Sequence, residues 1–271
     1  MHREDTEAVV REPAERSWAL VTGASAGIGE AFARALAGRG MSLVLAARRE
    51  DRLSALADEL RRRYGVEAAV IPADLGKPGA AGVLWLEATD GREIDLLVNN
   101  AGFGAKGRFD EVPLERQAEM VRLNCTAPME LMHLALQSMR PRRRGAVVNV
   151  ASVAAFQPVP QLATYAASKA FLLTLSEAVA EECRGSGVRV LALNPGPVAT
   201  EFQQVAGTEV TARTLGVRTA EEVVDAALRA LDRGRTSVTP GAVNYLGTVA
   251  ARVFPRSVVL RAAKTVMKKL R

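Results

Sequence analysis

Aromatic side chains are scarce in this sequence, at 4% of 271 residues, so the interior must be built chiefly from Ala, Val and Leu within an apolar content of 48%. Cysteine is scarcer still, with only Cys125 and Cys183. Neither sits in a CxxC pair or beside a His cluster, which leaves no disulfide framework and no structural zinc site to expect. Both thiols read as free and buried in a reducing compartment. A chain of this length buries the larger part of its unfolded surface and needs no such staple.

Long apolar runs are missing too. No stretch reaches the ~18 uninterrupted apolar residues of a membrane-spanning helix. Charges from Arg3, Glu4 and Asp5 through Glu15 and Arg16 interrupt any apolar core of a secretion signal. These absences predict a cytoplasmic protein with a flexible tail over residues 1–16. Acidic residues stop at Asp232: residues 233–271 hold nine Lys or Arg and no Asp or Glu, so a net charge of +6 leaves residues 1–232 at −3. The basicity is local, which argues against nucleic-acid partners.

What is present is an alternation. Short runs nearly continuous in Val, Leu, Ala and Ile fall at 18–22, 42–46, 68–71, 95–99, 146–150 and 188–194, and amphipathic stretches lie between them at about 27–38, 50–63, 78–89, 113–139, 161–184 and 219–232. Apolar strands without polar alternation belong to parallel sheets covered on both faces. The βαβ order implies an α/β, doubly wound sheet. Residues 236–240 add a seventh strand at an edge. With no linker, repeat or low-complexity segment, the chain reads as one domain over 17–248, followed by a basic segment over 249–271.

Directly after the first strand comes Thr22-Gly23-Ala24-Ser25-Ala26-Gly27-Ile28-Gly29, and then an amphipathic run. Glycines let the backbone turn tightly and approach a pyrophosphate, and the N–H groups opening the next helix attract it. The G-x-x-x-G-x-G spacing departs from the common G-x-G-x-x-G. At the end of the second strand, an NAD site usually has Asp or Glu for the ribose 2′-OH. Here the strand ends in Arg48 and Arg49, with no acid before Glu50. Adjacent guanidiniums suit a 2′-phosphate, so the cofactor expected is NADP(H).

Tyr165 and Lys169 stand four apart at the start of a long amphipathic run, which puts them on one helix face. A nearby ammonium favours phenolate and is expected to lower the phenol's pKa into a working range. Ser152 follows the strand at 146–150 and precedes Tyr165 by thirteen residues. Taken singly, Ser152 reads as a turn cap. Beside the phenol, its hydroxyl would hold a substrate oxygen at the carboxyl end of the sheet.

These residues together resemble the short-chain dehydrogenase/reductase family, from about Trp18 to Thr200. The resemblance rests on the TGxxxGIG turn, the Asn-Asn-Ala-Gly segment at 99–102 and the Ser152, Tyr165, Lys169 set. It implies a single Rossmann-type sheet of about seven strands with helices on both faces. It further implies that Gly23, Ser25, Gly27, Ile28 and Gly29 cradle the cofactor, with Asp74 and Leu75 at the adenine. Asn100, Ala101 and Gly102 would line the cofactor and Asn99 would steady the central strand. Asn124 would support a proton relay to Lys169, which also holds the nicotinamide ribose. Pro195, Gly196, Val198 and Thr200 would contact the nicotinamide. The implied function is carbonyl–alcohol interconversion, with Tyr165 as acid/base, in a homodimer or homotetramer that pairs the helices at 113–139 and 161–184.

Substrate specificity is expected from Val153, Phe156, Gln157, Pro158 and Val159 and from Phe202, Gln203 and Val205, which suggest a medium-sized apolar ketone or aldehyde. Phe156 and Phe202 read equally as packing residues. The segment 249–271 sets seven Lys or Arg among apolar residues. It suits either a helix packed on its own domain or a basic amphipathic helix on an anionic membrane. The second setting would belong to a peripheral reductase of lipophilic ketones or 3-oxoacyl substrates. A non-catalytic nucleotide sensor would have no need of Ser152, Tyr165 and Lys169 together.

Overall fold

The computed structural model describes residues 17–208 and 214–269. The tail expected over 1–16 lies outside the described residues, as do residues 209–213 and the last two positions. Seven parallel strands form one sheet in the order β3-β2-β1-β4-β5-β6-β7. They are β1 (Trp18–Thr22), β2 (Ser42–Ala47), β3 (Ala68–Pro72), β4 (Ile94–Asn99), β5 (Gly145–Val150), β6 (Val188–Leu193) and β7 (Ser237–Val238). The chain builds outward from β1 to β3, then crosses back to place β4 on the other side of β1. That reversal opens a crevice at the carboxyl ends of β1 and β4, where ligands of such sheets bind.

Both sheet faces are covered, which explains the uniformly apolar strands. On β1, Ala19 and Val21 join the core beneath α1 (Gly27–Ala37), α2 (Glu50–Tyr64) and α8 (Ala220–Asp232), with Phe32, Leu53 and Val223. Trp18 and Leu20 point the other way, toward α3 (Ala80–Thr89), α5 (Ala127–Arg142) and α6 (Ala163–Glu182), with Leu84 and Leu131. The period of two along a strand thus supplies both cores at once.

The helix expected over 113–139 is present, with its backbone helical throughout and widened at one turn. It runs as α4 (Leu114–Val121), a π-helical turn at Arg122–Thr126, and α5. A π-turn widens the helix locally and re-aims one side chain, and here that side chain is Asn124. The segment after β7 is α9 (Ala242–Val253) and α10 (Arg256–Lys269). Pro255 disfavours a helical residue before it, and Phe254 accordingly takes an extended conformation (φ −75°, ψ 152°). The basic segment drawn from 249 therefore begins inside α9 and is not one continuous helix. The short helix α7 (Phe202–Ala206) lies between β6 and α8.

Candidate active site

The turn between β1 and α1 is held open toward the crevice. Gly23 and Gly27 adopt positive φ (66° and 58°), which only glycine takes without strain. Ala26 caps α1 with no side-chain hydrogen bond, so side chains leave the leading N–H groups of this helix available to an anion. Ser25, Gly27 and Ile28 line a cleft of about 650 Å³, within the range of cofactor and ligand sites. Gly29 does not line it. A Cβ there would stand 2.3 Å from the Gly23 carbonyl oxygen and 2.5 Å from Asn100 Nδ2, so this glycine lets helix and turn pack together.

The ends of β1 and β4 are tied by polar groups. The Thr22 hydroxyl accepts from the N–H groups of Asn100 (3.0 Å) and Ala101 (3.1 Å). Asn100 Nδ2 donates back to the carbonyls of Thr22 (3.0 Å) and Gly23 (3.2 Å). Asn99 lies deeper, donating to Asn149 Oδ1 at 2.8 Å, while Asn149 donates to Ser176 Oγ at 2.8 Å. The cleft wall continues with Asp74 and Leu75 after β3, with Asn100, Ala101 and Gly102 after β4, and with Pro195, Gly196, Val198 and Thr200 after β6. Uncapped helix N–H groups, the positive-φ glycines of the turn and this length of wall all fit a bound dinucleotide.

The two arginines differ in their surroundings. Arg48 lines the cleft with its side chain 64% exposed, and its ion pair to Glu119 is long at 3.9 Å. Arg49 is engaged: it donates to Ser25 Oγ at 3.1 Å and to Glu201 Oε2 at 2.7 Å. Arg52 donates to the other oxygen of Glu201 at 2.6 Å. Arg52, then Arg49, hold the Glu201 carboxyl below the usual carboxylate range. Glu201 follows Thr200 on the β6 side, so a carboxylate from one wall straps the arginines of the opposite wall.

Tyr165 lies in the first turn of α6, and Lys169 one turn on. Lys169 is 4% exposed and its Nζ donates to the Val150 carbonyl at 2.7 Å. Burial brings its pKa down to about 8. The Tyr165 phenol is pushed up to about 12 by burial, against a hydrogen bond with Ser152 that lowers it. The expected lowering by the Lys169 ammonium is therefore overturned for the protein on its own: the Nζ stands 5.9 Å from the ring centre, and desolvation dominates. Ser152 caps a short 3₁₀ turn (Val153–Phe156), accepting from the Ala154 N–H at 3.1 Å. It is thus both a turn cap and a neighbour of the phenol.

Asn124 stands behind the cleft wall. Its Nδ2 donates to the Phe103 carbonyl and to Ser168 Oγ, each at 3.0 Å, and its Oδ1 accepts from the Phe103 N–H at 3.2 Å. A Cβ on Gly102 would lie 2.9 Å from Asn124 Oδ1 and 3.4 Å from Lys169 Nζ. Asn124 and Lys169 therefore flank one small space that Gly102 leaves vacant.

On the substrate side Val153, Gln157, Val159, Gln203 and Val205 line the cleft, while Phe156 and Pro158 do not. Phe156 instead lies under the Arg252 guanidinium at 4.8 Å. Phe202 is a cleft residue whose ring centre is 5.6 Å from that of Tyr165. Ala262 and Ala263 of α10 complete the wall. Glu201, Ser168, Ser176 and α10 carry no signal in the sequence that points to this site, since each acts through partners far along the chain.

A crevice at the sheet's switch point, holding a Ser–Tyr–Lys set beside a glycine-rich turn, defines an oxidoreductase of the Rossmann-type α/β class. Residues 17–211 match the short chain dehydrogenase family, adh_short, and the chain belongs to it. It is 37% identical over 183 residues to a 7beta-hydroxysteroid dehydrogenase of Collinsella aerofaciens, covering 68% of this chain and 69% of that one. A solved 7beta-hydroxysteroid dehydrogenase structure superposes with a TM-score of 0.84 at 32% identity, covering 91% of this chain and 96% of the other. A short-chain dehydrogenase from Sphingobium yanoikuyae in complex with NADPH superposes at 0.79 with 34% identity, covering 94% and 96%.

Proposed function

We propose that this protein interconverts a bulky, apolar ketone and its secondary alcohol with NADP(H), using Tyr165 as the acid/base. The observation that carries the reading is the pairing of Ser152 with Tyr165 inside the cleft, beside Val153, Val159, Phe202 and Val205 on the substrate side. The absence of an acid at the end of β2 and the presence of Arg48 and Arg49 support NADP(H) over NAD(H). A relative solved with NADPH and relatives that act on hydroxysteroids support the same choice of cofactor and a substrate of that bulk.

Gly23, Ser25 and Gly27 with the N-terminus of α1 would hold the pyrophosphate, and Pro195, Gly196, Val198 and Thr200 the nicotinamide, which supplies or accepts the hydride. In reduction, Ser152 and Tyr165 both donate to the substrate oxygen and polarise the carbonyl. Tyr165 would pass its proton to that oxygen as the carbonyl is reduced to the alcohol, leaving a phenolate. Lys169 offsets the new charge from within the same buried space. In oxidation, the phenolate takes the alcohol proton.

The test is an NADPH-oxidation screen over ketones, aldehydes, steroids and 3-oxoacyl thioesters, repeated with NADH and with the Tyr165→Phe variant. Turnover with NADPH on bulky ketones is expected, with a loss of about 100- to 10,000-fold in the variant and little change in NADPH binding. Retained activity without the phenol overturns the assignment. The outer faces of α4, α5 and α6 expose Leu114, Val121, Met129 and Phe171, which supports pairing of two copies there. Phe171→Glu should then lower the sedimenting mass, and an unchanged mass removes this interface.

A further inference from the structure

The helix α9 is built inside out. Its buried positions are Asn244 and Thr248, and both are satisfied: Asn244 Nδ2 donates to the carbonyls of Gly216 (2.9 Å) and Pro240 (3.0 Å), and Thr248 Oγ1 to that of Tyr245 (2.7 Å). The opposite side carries Tyr245, Leu246, Val249 and Val253, and Phe254 follows them, with Leu246 64% and Val253 74% exposed. A helix that packs on a domain in water does the reverse, burying its apolar stripe. Among the described residues, eight of the seventeen exposed large apolar side chains fall between Val243 and Leu260. Clustering of that kind marks a surface with a partner, whereas scattered exposed apolar residues do not.

The neighbouring charge identifies the partner. In α10, Val259 and Ala263 turn inward, and Arg256, Arg261 and Lys264 are exposed. Arg252 lies 3.8 Å from Glu177 of α6, and the sequence has no acid after Asp232 to balance the rest. A second copy docked here through a two-fold axis would bring the same cations face to face, which disfavours self-association. Self-pairing also has its own apolar face on α4–α6. No helix among the described residues is long and apolar enough to cross a membrane. An apolar stripe flanked by the exposed cations Arg256, Arg261 and Lys264 instead suits a surface that is apolar within and anionic at its rim.

We propose that α9 and the outer side of α10 dock this enzyme on an anionic phospholipid surface. The inner side of α10 supplies Ala262 and Ala263 to the cleft, so docking places one wall of the cleft against the lipid. An apolar substrate dissolved in the bilayer then enters beside the helix that binds it. The proposal concerns binding alone and stands apart from the choice of substrate or cofactor.

Vesicle flotation of the full chain tests it, with phosphatidylcholine alone and with phosphatidylcholine mixed with phosphatidylglycerol. About tenfold or greater recovery on the anionic vesicles is expected, falling as salt is raised. The triple substitution Leu246→Glu, Val253→Glu and Phe254→Glu should abolish recovery, with far-ultraviolet circular dichroism and NADPH binding unchanged because all three side chains are exposed. No flotation overturns the proposal, as does equal flotation on neutral vesicles. A dimer that the triple variant dissociates would assign the face to a second copy and overturn it equally.

Discussion

Arg49 holds Glu201 across the cleft: Nη1 donates to Oε2 at 2.7 Å, between residues 152 positions apart in the chain. The same guanidinium reaches Ser25 in the glycine-rich turn. In the protein alone, a carboxylate from the β6 side thus occupies an arginine expected to meet the 2′-phosphate. Binding a phosphate there requires Arg49 to exchange one anion for another.

Glu201→Gln removes the competing charge while keeping the shape. NADPH is expected to bind about two- to fivefold more tightly to this variant, a small effect because exposed ion pairs are weak. NADH, lacking the phosphate, should change little. Titration calorimetry with both nucleotides at low and high salt measures the difference, which should shrink as salt rises. Equal gains for the two would show that Arg49 does not meet the phosphate.

Ser152→Ala should move the pH profile of alcohol oxidation. The Ser152 hydrogen bond lowers the phenol's pKa against burial, so its loss raises that pKa, and the phenolate that accepts the alcohol proton forms only at higher pH. The rising limb of kcat against pH moves to higher pH, beyond a loss in kcat of about 100-fold or more for a missing oxyanion donor. Losing the cap on Ala154 also costs about 1 kcal/mol of stability. A profile with an unmoved limb would separate Ser152 from the phenol.

The sheet was legible because two-sided burial writes an apolar run for every strand, and helices such as α1, α2 and α8 carry an amphipathic period between them. Seven strands therefore emerged with bounds within about two residues at most ends. The π-turn at Arg122–Thr126 was not legible, since the apolar period continues through it and only the tertiary bonds of Asn124 to Phe103 and Ser168 reveal it. Asn149 lay hidden within an apolar strand run, and Glu201 looked like one more loop acid. The Ser152, Tyr165 and Lys169 set was readable because Tyr165 and Lys169 are local to one helix. The direction of the Tyr165 shift was not, because desolvation depends on the packed cleft.

Lys169→Met should trade activity for stability in a pH-dependent way. Burial brings the native ammonium down to about 8 from an ordinary 10.5, so between those values the folded protein binds fewer protons than the unfolded chain. Wild type therefore gains stability relative to the variant as pH rises from 8 to 10.5, by on the order of 3 kcal/mol in all. Below pH 8 the charged lysine is at its most costly and the variant compares best. Denaturant melts of both proteins at several pH values test this, and a difference independent of pH would mean that Lys169 is not desolvated.

Gly29→Ala and Gly247→Ala are the same substitution in two helices and should have opposite signs. Alanine is favoured over glycine in a helix by about 1 kcal/mol, and Gly247 in α9 has nothing within 4 Å of an added Cβ. Gly247→Ala should therefore stabilise by up to that amount. At Gly29 the new atom would meet the Gly23 carbonyl at 2.3 Å, and neither backbone segment can yield without separating α1 from the turn. Overpacking of this kind costs about 1–3 kcal/mol and outweighs the propensity gain. The loss should appear in thermal melts without any nucleotide, because Gly29 packs beneath the cleft and does not line it. A Gly29→Ala variant with unaltered melting that failed only in NADPH binding would return this glycine to the cofactor's own contacts.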